Sequence, residues 1–217
     1  GIRNIRAPNL TLGSTVPRIA TALRSTALPL AATLALAVPA HAQRPGQAPR
    51  TAYGAQGRIL SPRDTVEMEL PGRSRVYIDY GRPSMRGRRI MGGLVPYGRV
   101  WRTGANAATT LVTDVDLRIG AVSVPRGTYT LYTIPAPEGW TLIVNRQTGQ
   151  WGTQYHPERD FARIPLRVSP LRDPVEQFTI ELQRGRGAAP DTLAFTWETT
   201  RAWVPFRPAT PAPRTRR

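Results

Sequence analysis

The chain has 217 residues with 30 basic and 14 acidic side chains, a formal net charge of +16; every basic residue is arginine, and cysteine is absent. Without lysine there is no Schiff base and no P-loop lysine. Without cysteine there is no thiolate nucleophile, zinc ribbon or iron–sulfur cluster, and no acylated cysteine to anchor the chain to lipid.

The uniform choice of arginine over lysine reads first as genomic composition. A positive field still attracts polyanions. In an exported protein that polyanion is an envelope glycolipid or acidic polysaccharide rather than nucleic acid.

Export is what the amino terminus suggests. Arg3, Arg6, Arg18 and Arg24 precede an apolar run from Ala27 to Val38 and then Ala40-His41-Ala42. That order matches the basic region, apolar region and small-x-small cleavage site of a secretory signal peptide, assigned to residues 1–42. The run is shorter than the ~20 residues that cross a bilayer, so no membrane span is expected and the location is periplasmic or extracellular. Residues 43–58 (QRPGQAPRTAYGAQGR) read as a flexible leader and 207–217 (RPATPAPRTRR) as a Pro- and Arg-rich tail. Neither offers enough apolar surface to offset its ordering entropy. The domain proper is 59–206, long enough to sustain a core without disulfides.

Within it, period-2 alternation recurs, the mark of half-buried strands. Val66, Met68 and Leu70 alternate with Glu67 and Glu69. After a Pro71-Gly72 turn that predicts a hairpin, Val76, Ile78 and Tyr80 alternate with Tyr77 and Asp79. Leu111, Thr113, Val115, Leu117 and Ile119 share one parity, which predicts a single strand. Thr128–Ile134 and Trp140–Asn145 follow as two more. The alternations at 163–168, 178–183 and 193–198 predict three separate strands, and Ala202–Phe206 a short edge piece, because Pro205 cannot donate to a ladder. The fold class expected is all-β, one antiparallel β-sandwich or jelly-roll-like domain, with a long irregular Arg/Gly-rich connection.

That connection, Asp79–Asn106, is the candidate site. Arg82, Arg86, Arg88, Arg89, Arg99 and Arg102 are interleaved there with Tyr80, Tyr97 and Trp101. A long glycine-punctuated connection inside a compact domain is commonly functional, and guanidinium forks bind carboxylate, phosphate or sulfate bidentately. Arg82, Arg102 and Asn106 with Tyr80 and Tyr97 are the predicted ligand-binding residues; Arg88 and Arg89 are assigned to solvent and Trp101 to the interior. His156, in His-Pro-Glu-Arg-Asp, reads as a surface turn residue. Glu67/Glu69 and Asp114/Asp116 sit on the polar parity of their strands and read as solvated faces. Carboxylate chemistry needs only two suitably spaced acids, and Asp79 with Asp160 is the weak catalytic pair. No metal site and no cofactor is predicted.

Residues 80–110 (YGRPSMRGRRIMGGLVPYGRVWRTGANAATT), GTYTLYTIP at 127–135, QWG at 150–152 and Asp160 with Arg163 together resemble a family of secreted bacterial domains of unknown function, DUF 2911. The resemblance covers about 61–204. It implies one exported β-rich domain and no established activity, ligand or cofactor. The family pattern often has an acidic residue after GAN, where this chain has Ala107. If that acid is catalytic this copy is inactive; if it braces a loop nothing changes. The leading expectation is a non-catalytic binding module for an anionic or polyhydroxylated envelope ligand. A carboxylate-dependent hydrolase and a purely structural envelope protein are the alternatives.

Overall fold

The computed structural model describes residues 60–209; the expected signal peptide and leader, and residues 210–217 of the expected tail, lie outside the described residues. Among the described residues, alternating apolar and polar side chains form nine strands: β1 (Arg63–Glu69), β2 (Arg75–Gly81), β3 (Thr110–Thr113), β4 (Leu117–Ile119), β5 (Val122–Val124), β6 (Gly127–Ile134), β7 (Trp140–Asn145), β8 (Asp160–Gln183) and β9 (Asp191–Pro208). Every pairing between these strands is antiparallel, and they join in one sheet of order β1-β2-β3-β6-β7-β8-β9-β4-β5. No helix among the described residues is long and apolar enough to cross a membrane.

The β1–β2 hairpin forms at the Pro71-Gly72 signal. Gly72 (φ 76°) and Arg73 (φ 60°) both take left-handed backbone there, and the Leu70 N–H closes the turn on the Ser74 carbonyl at 2.7 Å. Tyr80 is buried with Val76 and Ile78, as its parity requires.

Three strand assignments need correction. The stretch 111–119 is two strands, not one: β3 pairs with β2 and β6, whereas β4 pairs with β5 and β9. The break falls at Asp114–Asp116, whose carboxylates accept the main-chain N–H groups of Arg75 and Arg126 at 2.9 and 2.8 Å. The two alternations at 163–168 and 178–183 belong to one long strand, β8, which bends where its register slips between Pro170 and Val175 and again before Thr179. Likewise 193–198 and 202–206 are both β9, which continues through Arg207 and Pro208. Pro205 is tolerated in this interior strand because it lies between two ladders: β9 pairs β8 up to Trp203 and β4 from Phe206. A missing N–H at that crossover forfeits no ladder bond.

One apolar cluster joins both regions of the bent sheet, combining Ile78, Tyr80 and Leu111 with Phe178, Ile180, Phe195 and Trp197. The Tyr80 hydroxyl accepts the Ile180 N–H at 3.0 Å, and its ring meets Phe178 edge-on at 5.8 Å. Such an edge-to-face pair is worth ~0.5–1.5 kcal/mol beyond area burial.

Candidate functional site

The connection from β2 to β3 is irregular but anchored every few residues. Pro83–Met85 runs beside β8: the Phe178 N–H donates to the Pro83 carbonyl, and the Met85 N–H to the Glu176 carbonyl. Ile90, Met91 and Val95 are buried, and the Glu198 carboxylate accepts the N–H groups of Ile90 and Met91 at 3.3 and 3.0 Å. Trp101 exchanges two main-chain bonds with Thr133, at 2.7 and 2.9 Å. Arg86, Thr103 and Asn106 hold left-handed backbone without being glycine. Conformations of that kind persist only where surrounding structure enforces them, and they gather at functional sites.

This framework encloses a cavity of about 780 Å³, within the ~300–1,000 Å³ typical of small-molecule clefts. Among the described residues four arginines line it (Arg86, Arg88, Arg99 and Arg102), together with Asn106, Tyr132, Tyr155, Trp101 and Trp197, and no carboxylate does. Trp101 stacks on Trp197 with ring centres 5.7 Å apart. Trp101 is thus half-buried, belonging both to the core and to the cavity lining.

The arginines differ in what they have left to offer. Arg88 spends its Nε and one Nη on the carbonyls of Met85 and Ser84. Arg86 gives one Nη to the Leu60 carbonyl. Arg102 donates only its Nε, to the Gly104 carbonyl at 3.2 Å; its two terminal nitrogens meet no acceptor among the described residues. Burial pushes the Arg102 pKa down, since desolvation penalises its charge. The Arg99 side chain is exposed and makes no hydrogen bond among the described residues.

Arg102 owes its position to Gly152. A Cβ on Gly152 would lie 2.9 Å from Arg102 Cδ and 2.9 Å from the Asn106 carbonyl oxygen. The bare backbone at 152 lets the arginine stem cross it, and the Gly152 N–H donates to that same Asn106 carbonyl at 2.9 Å. The loop carrying Gly152 is seated by Gln150. Its Nε2 donates to the hydroxyls of Thr130 and Tyr132, which donate onward to the carbonyls of Gln147 and Gln154. The amide orientation is therefore fixed, and Gln150 Oε1 is buried without a partner.

The predicted site residues divide. Arg102 and Asn106 line the cavity; Asn106 also reaches the Ser61 carbonyl at 3.5 Å. Arg82 is engaged elsewhere, donating to the Phe178 carbonyl (3.2 Å), Thr179 Oγ1 (3.0 Å) and Asp64 Oδ2 (2.9 Å). Tyr80 is in the core, where burial raises its pKa. Tyr97 is exposed on the connection, its ring against Gly92, and does not line the cavity. Ala107 is not in the lining either; its carbonyl accepts Arg63 Nη1 at 3.1 Å.

The two weak catalytic candidates lie on one cross-strand row: Asp79 faces Thr110, Thr110 faces Thr130, Thr130 faces Asn145, and Asn145 faces Asp160. Four interstrand steps amount to roughly 19 Å along the sheet, beyond the ~5–9.5 Å of paired glycosidase carboxylates. Each acid is also engaged. Asp79 is paired with Arg63. Asp160 accepts from Asn145 (2.9 Å), from the Tyr155 hydroxyl (2.7 Å) and from Arg163 (2.9 Å). Burial and then that bond to Asp160 push the Tyr155 hydroxyl up to about 12. His156 is an exposed turn residue, its Nδ1 3.0 Å from Glu158 Oε1.

Tyr132, Gly152, Tyr155 and Trp197 join the lining from outside the connection, and none of them is a predicted ligand-binding residue. Gly152 stood in the QWG signature, and Tyr132 in the Thr- and Tyr-rich β6 pattern. Nothing local marked Tyr155.

Fold and site together define an all-β antiparallel domain with an arginine-lined cavity. A family model described as a protein of unknown function, DUF2911, matches residues 61–206, and the chain belongs to that family. A comparison with curated proteins found no match, and neither did one with solved structures.

Proposed function

We propose that this domain is a non-catalytic binding module whose cavity takes a small anionic or polyhydroxylated ligand. The observation that carries this is Arg102: a partly desolvated guanidinium whose terminal nitrogens find no acceptor, in a cavity lined by no carboxylate, among the described residues. Burying a cation costs free energy unless something compensates it. A ligand carboxylate, phosphate or vicinal diol would supply the acceptors, with Arg99 and Asn106 beside it and the Trp101 ring as a flat wall. The export pattern at residues 1–42 supports an envelope or extracellular source for the ligand. The bond that Tyr80 accepts from Ile180 and those that Arg82 donates to Phe178 and Thr179 support reading the bent sheet as a two-layer sandwich.

The experiment compares wild type with Arg102→Ala for thermal stability and for binding of inorganic phosphate, galacturonate and a glycan array. The expected result is at least a tenfold loss of binding at an unchanged melting temperature. Unfolding of the variant, with no binding by wild type, would make Arg102 a brace.

A further inference from the structure

The cavity carries an apolar component that the arginines do not account for. Leu60, Leu94, Tyr97 and Val100 are the large apolar side chains exposed among the described residues. Three of them, Leu60, Leu94 and Val100, line the cavity, and Tyr97 sits on the same connection. Single exposed apolar residues need no explanation, but a group rimmed by polar side chains marks a binding surface. Leu60 precedes β1, whereas Leu94 and Val100 belong to the β2–β3 connection, so tertiary structure gathers them. The loop presenting Leu94 is pinned: the Leu94 N–H donates to the Arg89 carbonyl and the Val95 N–H to the Ile90 carbonyl, while Ile90 and Val95 are buried. Leu94 could have been drawn inward with these neighbours and is instead held at the cavity.

Building on the anion-binding reading above, we infer that the ligand is a small anionic amphiphile, its charged head on Arg102 and Arg99 and its aliphatic arm along Leu94, Val100 and Leu60. The Trp101 ring, stacked on Trp197, lines the cavity with both groups of side chains. Inorganic phosphate or a sugar acid would satisfy the arginines and leave the apolar lip in water. An uncharged lipid would cover the lip and leave Arg102 uncompensated.

Acetate, decanoate below its micellar concentration and decyl maltoside, titrated into the full chain by NMR, separate these cases. Each methylene removed from water is worth roughly fourfold in affinity, so decanoate should bind at least about 30-fold tighter than acetate. Arg102→Ala should weaken both acids by about tenfold. A Leu94→Ser, Val100→Ser double variant, changed only at exposed positions, should remove most of the chain-length gain, bringing decanoate within a few-fold of acetate. Decanoate binding no tighter than acetate would overturn the amphiphile while anion recognition stands. Decyl maltoside equalling decanoate, with Arg102→Ala without effect, would reduce the site to an apolar surface and overturn it too. Failure of phosphate, galacturonate, acetate and decanoate alike to bind wild type would remove both readings.

Discussion

Replacing Arg82 with Ala separates a brace from a ligand residue within one arginine-rich segment. Arg82 ties the end of β2 to β8 through the Phe178 carbonyl and Thr179 Oγ1, and to β1 through Asp64. The Asp64 pair counts for little: the two side chains are 26% and 45% exposed, and pairs of that kind contribute ~0–1 kcal/mol. The other two bonds run from a charged donor to buried Phe178 and half-buried Thr179 and are worth about 1–1.5 kcal/mol each, the top of the ordinary range and the floor of the charged one. Truncation should therefore cost about 2–3 kcal/mol, which for a domain of this size lowers the melting temperature by about 5–10 °C. Differential scanning calorimetry at pH 7 reads the shift, and titration with galacturonate reads binding. A shift under about 2 °C combined with lost binding would refute the assignment and return Arg82 to the site.

Gly152→Ala should expel the Arg102 stem and abolish ligand binding, with a smaller stability loss of about 1–2 kcal/mol from the crowded Asn106 carbonyl; urea denaturation and NMR titration check the two effects. Asp160→Asn should destabilise by about 2 kcal/mol, because the charge facing Arg163 and the Tyr155 hydroxyl is lost; urea denaturation measures it. Tyr155 is neutral in the fold up to about pH 12, against an ordinary 10 unfolded, so its contribution is complete below pH 10 and fades as pH climbs from 10 to 12. Tyr155→Phe should therefore lose less stability than wild type between pH 9 and 11.5, followed by denaturant titration at each pH.

The parts of the fold written in local pattern were legible. The β1–β2 hairpin followed from alternation broken at Pro71-Gly72, and β7 from the Trp140–Asn145 run between turns. The β3/β4 break was not, because apolar parity runs unbroken from Leu111 to Ile119 while the interruption is made by bonds to Arg75 and Arg126, 39 and 10 residues away from the aspartates that accept them. The site was half legible. Glycine and arginine density marked the segment that walls the cavity. It could not say which guanidinium is spent, because Arg82 finds acceptors 96 and 97 residues away and Arg102 finds one two residues away. Tyr80 was readable as core from its own alternation with Val76 and Ile78, a signal outweighed by its proximity to the arginines. Gly152 acts by lacking a side chain where another residue must pass, which no single-sequence pattern expresses.

The most direct test follows the guanidinium of Arg102 itself. Nitrogen-15 NMR of the arginine side chains, assigned by comparison with Arg102→Ala, should show the terminal nitrogens of Arg102 shifting and losing water exchange as decanoate or galacturonate is added. The signals of Arg82 should stay where they are. Resonances of Arg102 that remain unmoved while exposed arginines such as Arg89 and Arg172 respond would mean that the anion is held by the general positive surface, and the cavity would lose its proposed role.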